Sequence, residues 1–353
     1  MRNRAGDRRP AVSVVTWQRH AGRAEEMAAA LGGEAVHVYY PGLTSGVARN
    51  LGRYALSALA TAAHLVVRRP RAVLVTNPPV VPGLISTVYG QLTGRPVVLD
   101  SHPTSFGAKD HAMSQRLLPV HRAMARRAAA VMVTTEHWVR VVEGWGARGI
   151  VVHEAPPAWT VSSRPDPGGR RPRVLFVGVF GSDEPVDVVM DAARRLPDVE
   201  VHVTGDPARC PAPLQASLPS NVVLTGFLGP ADYRRAVEEA DVLLVLTTEP
   251  TSVVRAGYEA VYARRALVVS DTPVLREVFP AAVHTSNTAD AVADALRRAL
   301  STAGDPEPLD RAHATQQARW QSQLAALRQA IARGPRRGVG GDANEGRSAR
   351  PAG

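Results

Sequence analysis

Short apolar runs alternate with longer helical segments along most of the chain, and no other feature of the sequence restricts the fold as much. The runs are about five residues long and rich in valine, as in residues 12–16 and 241–246, and segments of roughly 10 to 18 residues separate them. Strands that are apolar throughout are buried on both faces, and the intervening segments are long enough to cross the sheet as helices. The alternation therefore predicts an α/β fold with parallel sheets covered by helices.

The alternation stops once and then restarts, which divides the chain into two halves. Residues 161–172 are polar and contain three prolines and two glycines, a composition typical of a linker. A chain of 353 residues is long enough for two domains. We predict two facing Rossmann-like domains in this order: a disordered basic end (1–10), an N-terminal domain (11–160), the linker (161–172), a C-terminal domain (173–305), a helix that returns to the first domain (306–332) and a disordered tail (333–353). The predicted strands are 12–16, 34–40, 72–76, 96–100, 130–134, 150–153, 173–177, 199–204, 221–225, 241–246 and 266–269.

The positive charge of the chain is concentrated at its ends. The net charge is +10, of which residues 1–10 and residues 333–353 carry +3 each. Aromatic residues make up only 5% of the chain, and no run combines basic with aromatic residues. A nucleic-acid-binding domain would concentrate its charge on a folded face beside stacking side chains. We therefore predict no nucleic-acid partner.

The longest apolar stretch, residues 54–67, is too short to span a bilayer and contains Ser57 and His64. It is open to two interpretations: a buried helix of an α/β layer, or a helix lying on an anionic membrane surface, since arginines stand at both of its ends. The N-terminus lacks the apolar core of a signal peptide, and the single cysteine, Cys210, cannot form an intrachain disulfide. These features favour a cytoplasmic protein, with the inner face of the plasma membrane as an alternative location.

Several motifs that carry chemistry are missing from the sequence. No Gly-x-Gly-x-x-Gly follows the first strand of either half, and there is no Walker P-loop, Gly-x-Ser-x-Gly, His-Glu-x-x-His or Asp-x-Asp. Their absence counts against a dehydrogenase, a nucleotide hydrolase, a serine hydrolase and a metal-chelating sugar transferase. We expect neither a metal nor a bound cofactor.

The polar turn after the predicted strand 241–246 is the densest cluster of candidate binding residues. A helix is predicted to begin near Val253, where exposed backbone N–H groups suit a phosphate. Thr251 or Ser252 can cap this helix, which is also an ordinary structural role. Arg255 can pair with a phosphate, and Glu259 can accept hydrogen bonds from two ribose hydroxyls unless it is a surface glutamate.

The segment from Tyr258 to Glu277, with its Glu-Ala pair, valine-rich strand and Ser-Asp, resembles the donor site of family-4-type glycosyltransferases with the GT-B fold, the glycosyl transferases group 1. Residues 176–181 resemble the first turn of that family's C-terminal domain, and residues 224–228 resemble its turn over the nucleobase. The Asp-Glu-Pro at 183–185 is similar to the mannosyltransferases that extend a chitobiosyl-lipid. The resemblance implies GT-B, with an N-terminal acceptor domain and a C-terminal donor-nucleotide domain. It implies that Glu259 holds the donor ribose and that the rest of the donor lies against Thr251, Ser252, Val253, Gly178, Gly181, Gly226, Phe227 and Leu228.

The first half resembles the family more loosely, through residues 17–20, Asn77-Pro-Pro and Asp100-Ser-His102. The resemblance implies that His102 contacts the donor sugar, and a capping or hydrogen-bonded loop histidine is the alternative. If the reaction inverts the anomeric configuration, Asp100 or His102 is the candidate base, whereas retention needs none. The family's diphosphate-binding arginine and lysine would fall at Val179 and Pro185, and its second glutamate at Thr251. We therefore expect cationic residues of the first half, Arg19, His20 or Arg23, to serve the phosphate or acceptor side.

The resemblance implies a metal-independent and retaining glycosyltransferase that uses a nucleotide-sugar donor. A cell-envelope glycan or a lipid-linked acceptor is the expected second substrate, with peripheral contact to an anionic membrane. Two alternatives stay open: a non-catalytic protein that binds sugar nucleotides, and a sugar-nucleotide 2-epimerase.

Overall fold

A computed structural model of the chain describes residues 11–19, 21–41, 47–107, 112–159 and 169–334. The basic end, most of the predicted linker and nearly all of the predicted tail lie outside these ranges. The chain divides into two compact units. The first comprises Met1–Val133, Trp138–Ile150 and Ala326–Gly353, and the second comprises Thr134–His137 and Val151–Ala325.

The first sheet consists of six parallel strands. These are β1 (Val12–Thr16), β2 (Glu34–His37), β3 (Ala72–Asn77), β4 (Val97–Ser101), β5 (Ala130–Val133) and β6 (Gly149–Val151). The helices between and around them are α1 (Gly22–Leu31), α2 (Val47–Arg68), α3 (Val80–Thr93), α4 (Ala112–Arg127) and α5 (Glu136–Gly144). The strand order is β2-β1-β3-β4-β5-β6. Strands β1, β3, β4 and β5 are buried along their whole length, as their apolar sequences require.

The second sheet also has six parallel strands. These are β7 (Arg173–Phe176), β8 (Glu200–Thr204), β9 (Val222–Gly226), β10 (Val242–Val245), β11 (Ala266–Ser270) and β12 (Val283–Thr285). Its helices are α6 (Val186–Arg194), α7 (Ala212–Ala216), α8 (Pro230–Glu239), α9 (Arg255–Tyr262), α10 (Pro273–Val278) and α11 (Ala289–Thr302), followed by α12 (Pro306–Arg333). The strand order is β12-β11-β10-β7-β8-β9. The predicted α/β class with two parallel sheets is confirmed.

Each sheet has a point where its strand order reverses. In the second sheet this point lies between β7 and β10, because β8 and β9 continue on one side of β7 whereas β10 and β11 continue on the other. In the first sheet it lies between β1 and β3. Loops that leave the carboxyl ends of such strands diverge and open a crevice where α/β proteins bind ligands. The candidate turn motifs follow β7 and β10, which places them at this position.

Close packing fixes helix α9 next to the second reversal point. A Cβ atom added at Gly257 would lie 2.6 Å from the ring of Phe279, so only glycine lets the helix approach this closely. Tyr258, the next residue, is fully buried, and its ring packs edge-on against Phe279 at 4.9 Å. These contacts hold the helix that carries Arg255 and Glu259.

Some predicted boundaries are wrong, for identifiable reasons. The predicted strand 34–40 ends at His37. The neighbouring strand β1 ends at Thr16, whose carbonyl oxygen accepts the N–H of Val38, so the residues after Val38 have no strand to pair with there. The last helix begins at Pro306, where proline suits a first turn, and Asp305 accepts a hydrogen bond from the N–H of Glu307 at 3.1 Å. Strand β12 and helices α7 and α10 were not predicted, since three to six residues are too few to establish a period.

Candidate functional site

Glu259 lies one turn into α9, and both of its carboxylate oxygens are hydrogen-bonded. Oε1 accepts a hydrogen bond from Nε of Arg255 at 2.9 Å, and Oε2 accepts one from the hydroxyl of Tyr233 at 2.5 Å. Arg255 and Glu259 have the i,i+4 spacing that brings side chains together on a helix. The Glu259 side chain is mostly buried. The alternative of an ordinary surface glutamate is therefore excluded.

Arg255 also contacts a second carboxylate. Its Nη1 lies 3.3 Å from Oε2 of Glu154, a mostly buried residue that follows β6. One guanidinium thus faces two acidic side chains. Such a cluster suits ligand groups that donate hydrogen bonds, such as ribose hydroxyls, better than it suits a phosphate. The predicted contact between Arg255 and a phosphate stays a prediction.

Tyr233, on α8, completes this cluster. Burial and the negative charge of Glu259 raise the pKa of Tyr233 well above its ordinary value, so its hydroxyl remains a hydrogen-bond donor. Neither Tyr233 nor Glu154 was identified from the sequence. Neither belongs to a motif, and Glu154 lies 101 residues from Arg255.

Glu184 occupies the turn after β7. Its carboxylate accepts hydrogen bonds from the N–H of Val179 at 2.9 Å and from the N–H of Gly181 at 3.0 Å. Backbone N–H groups that converge in this way form an anion-binding nest. A Cβ atom at Gly178 would lie 2.7 Å from Oε2 of Glu184, so glycine is required there for the carboxylate to approach. The turn that was expected to face the donor, through Gly178 and Gly181, therefore holds an acidic side chain of the chain itself.

The loops at the reversal point are tied together through Asp183. Its Oδ2 accepts a hydrogen bond from Thr247 Oγ1 at 3.0 Å, and its carbonyl oxygen accepts one from the N–H of Thr248 at 2.7 Å. The N–H of Thr247 in turn donates to Ser270 Oγ at 2.9 Å. The turns after β7 and β10 and the last residue of β11 thus form one hydrogen-bonded edge of the second sheet.

The predicted cap of α9 is wrong. The N-cap residue is Val254, and no side chain caps the helix. Helix α9 begins at Arg255, too far along the chain for Thr251 or Ser252 to cap it, and the hydroxyl of Thr251 donates to Glu249 Oε1 at 3.0 Å instead. Val253 packs against the hydrophobic core beside α9. The N–H of Ser252 donates to the carbonyl oxygen of Glu249 at 3.2 Å, so the N–H groups of Thr251 and Val253 remain the candidate phosphate contacts.

The turn after β9 presents an aromatic ring to solvent. Gly226 has a φ of 78°, in the left-handed region that favours glycine, and its carbonyl accepts a hydrogen bond from the N–H of Gly205 at 3.2 Å. Phe227 is 80% exposed, and Leu228 beside it is half-buried. An exposed ring at the carboxyl end of a strand can stack on a nucleobase.

In the first unit, Asp100 and Arg23 form a buried ion pair. Nε of Arg23 lies 3.1 Å from Oδ2 and 3.3 Å from Oδ1 of Asp100. The structure therefore brings together a predicted base and a predicted phosphate-side cation, each buried against the other. Arg19 is exposed, and His20 lies outside the described residues.

His102 follows β4 and is held through its backbone. Its N–H donates to the carbonyl oxygen of Asn77 at 2.9 Å, which also accepts the hydroxyl of Ser105 at 2.8 Å. The Asn77 side-chain amide donates to Ser101 Oγ and contacts Nδ1 of buried His121, each at 3.1 Å. His102 is the N-cap residue of a 3-10 helix, but its side chain makes no capping hydrogen bond. The capping alternative for its imidazole is therefore excluded, and its contact with the donor sugar stays a prediction.

Within the described ranges, no group of three or more His, Cys, Asp or Glu side chains is arranged to hold a metal ion.

Residues 171–302 match the family described as glycosyl transferases group 1. No curated protein sequence matches the chain. The chain is similar to the solved structure of sucrose-phosphate synthase from Thermosynechococcus elongatus, with 14% identity and a TM-score of 0.69 over 92% of this chain and 99% of that one. It is similar to HepE of Anabaena in complex with UDP-glucose (14% identity, TM-score 0.65, 91% and 98% covered). It is also similar to the trehalose-6-phosphate synthase OtsA (11% identity, TM-score 0.66, 92% and 100% covered). At these identities the structural likeness establishes the fold, which is GT-B.

Proposed function

We propose that this chain, whose residues 171–302 match the glycosyl transferases group 1, is a GT-B glycosyltransferase that moves a sugar from a nucleotide-sugar donor to a cell-envelope glycan or a lipid-linked acceptor. The proposed reaction retains the anomeric configuration and uses no metal. The observation that carries the proposal is the position of Glu259, mostly buried on α9 at the carboxyl end of the second sheet.

On the donor side, Glu259 is proposed to accept hydrogen bonds from the ribose hydroxyls. A carboxylate has about four acceptor positions, so it can bind a diol while it keeps Tyr233 and Arg255. Phe227 and the backbone around Gly226 are proposed to line the base. UDP-sugars are the first donors to test, because the HepE structure contains UDP-glucose.

The departing nucleoside diphosphate gains negative charge, which the protein must stabilise. We assign this role to the N–H groups of Thr251 and Val253 and to Arg255, whose guanidinium the diphosphate would share with Glu154 and Glu259. In the first unit, His102 is the proposed contact of the transferred sugar, with Arg19 on the acceptor side. Retention requires no enzymic base, which leaves Asp100 free to remain paired with Arg23.

No helix among the described residues is both long and apolar enough to cross a membrane. We propose that the protein acts at the inner face of the plasma membrane, where a lipid-linked acceptor would be presented.

A second candidate function is non-catalytic binding of a sugar nucleotide. It is favoured by the carboxylate of Glu184 on the N–H groups of Val179 and Gly181, together with the two carboxylates around Arg255. Both arrangements place negative charge where a diphosphate would otherwise be stabilised.

The deciding experiment combines donor binding with donor turnover. The full chain is titrated calorimetrically with UDP-, GDP- and ADP-sugars, and release of the nucleoside diphosphate is followed with a membrane lipid extract as the acceptor source. Glu259→Gln serves as the site variant, and Glu277→Gln, exposed on α10, serves as the matched control.

Binding and release of one nucleoside diphosphate, both reduced by Glu259→Gln only, would support the proposed reaction. Binding without release in any acceptor mixture would favour the non-catalytic function. Absence of binding for the whole donor panel would overturn both.

A further inference from the structure

Helix α2 exposes a row of apolar residues to solvent, whereas Leu65 of the same helix is buried in the core. Every fourth residue of α2 between positions 51 and 67 is exposed. Among these, Leu51, Leu59 and Val67 are 67%, 68% and 76% accessible. The buried side of the same helix includes the hydroxyls of Ser57 and Thr61. A surface helix of a water-soluble domain has the reverse arrangement, with its apolar stripe inward.

The neighbouring helix α3 repeats this feature. Leu84, Val88 and Leu92 are spaced four residues apart and are all exposed, Leu92 to 82%. Helices α2 and α3 pack side by side. Helix α2 connects β2 to β3 and α3 connects β3 to β4, so both connections run in the same direction across the sheet. Because such connections are right-handed, both helices lie on the same face of the first sheet. We call the surface formed by Leu51, Leu59, Val67, Leu84, Val88 and Leu92 the apolar face.

The segment that carries the apolar face contains charged residues of one sign only. Residues 35–99 contain six arginines and neither aspartate nor glutamate. Arg49 and Arg53 lie in the first turns of α2, Arg68 and Arg69 stand at its end, and Arg95 follows α3. Arg68 pairs with Glu34, which precedes this segment, at 3.2 Å. Apolar side chains bordered by the remaining arginines match the boundary between acyl chains and anionic headgroups.

We infer that the apolar face docks on an anionic phospholipid surface, with its leucines and valines in the acyl boundary and the arginines on headgroup phosphates. A second copy of the chain fits less well, because two such faces would bring arginines against arginines. The inference deepens the proposed function, since a lipid-linked acceptor would lie in that surface. Docking can nevertheless be measured without catalysis.

The test is flotation of the full chain with vesicles of phosphatidylcholine alone or with about 30% phosphatidylglycerol. We expect the parent chain to float with the anionic vesicles and not with the neutral ones, and to detach at high salt. The double variant Leu59→Ser/Leu92→Ser should reduce vesicle partitioning about tenfold or more. Arg49→Gln/Arg69→Gln should reduce binding to the anionic vesicles towards the neutral level.

Val223→Ser is the matched control, because Val223 is an exposed apolar residue of β9, in the second unit. It should float like the parent chain. The double leucine variant should keep its melting temperature and its donor affinity, which separates failure of docking from failure of the proposed function. The inference is overturned if the parent chain does not float, if the leucine variant floats equally, or if light scattering shows a parent dimer that this variant converts to a monomer.

Discussion

Arg255 donates a hydrogen bond from Nε to Oε1 of Glu259 at 2.9 Å, one turn apart on the same helix. Glu259 also accepts a hydrogen bond from the hydroxyl of Tyr233, and Arg255 also donates one to the carboxylate of Glu154. The orientation of Glu259 is therefore fixed before any ligand arrives. Preorganised acceptors bind more tightly than mobile ones, because less side-chain freedom is lost on binding.

Glu259→Gln should weaken the binding of a nucleoside diphosphate about tenfold, because hydrogen bonds to a charged acceptor are roughly twice as strong as those to a neutral one. Isothermal calorimetry with the full chain measures the effect. Glu277→Gln changes the same charge on an exposed part of α10 and should leave the affinity unchanged. An unaltered affinity in Glu259→Gln would show that the ribose binds elsewhere.

Glu184→Gln should strengthen diphosphate binding by about threefold to tenfold, because it removes a negative charge from the nest formed by the N–H groups of Val179 and Gly181. The glutamine oxygen can still accept one of these hydrogen bonds and keep the turn. Asp187→Asn is the control, since Asp187 is exposed at the start of α6 and carries the same charge. Weaker binding in Glu184→Gln would instead mean that the carboxylate shapes the turn for its ligand.

How much could be predicted from the sequence depends on how far apart along the chain the interacting residues lie. The alternation of strands and helices is local, so it predicted the α/β class and most strands. Glu259 could be identified because its place on α9 depends on one helix and the strand before it. Tyr233 and Glu154 could not, because they lie 26 residues from Glu259 and 101 residues from Arg255, respectively, and only the folded sheet brings them together.

Two local features were also missed, for a different reason. The Asp-Glu-Pro motif at 183–185 was recognised in the sequence. The direction in which the Glu184 side chain points, however, depends on the backbone of the preceding turn. The alternation likewise could not reveal which side of α2 faces solvent, since an apolar helix can be buried or exposed with the same sequence. Arg23 and Asp100 were both predicted as site residues. Their ion pair could not be predicted, because it depends on how α1 and β4 pack in the folded chain.

Asp100→Asn should destabilise the first unit by about 3 kcal/mol, because it removes the negative charge that pairs with the buried guanidinium of Arg23. Urea unfolding measures the loss. The double variant Arg23→Met/Asp100→Leu should recover most of it, since no uncompensated charge is then buried. A loss below about 1 kcal/mol would mean that the pair is solvated in solution.

His121→Gln should make the stability of the chain less sensitive to acid. Burial lowers the pKa of His121 below its ordinary 6.5, and its Nδ1 faces the Asn77 side-chain nitrogen at 3.1 Å. That amide can donate to a neutral imidazole but opposes a protonated one. The stabilisation from neutral His121 is therefore fully present above about pH 6.5 and is lost as the pH falls through its lowered folded pKa.

The measurement is the free energy of unfolding in urea at about pH 7.5 and about pH 5, compared between variant and parent because other half-buried histidines also titrate. We expect the difference between the two pH values to shrink by about 1 kcal/mol in His121→Gln. An equal acid sensitivity in His121→Gln and the parent would show that His121 does not resist protonation in the folded chain.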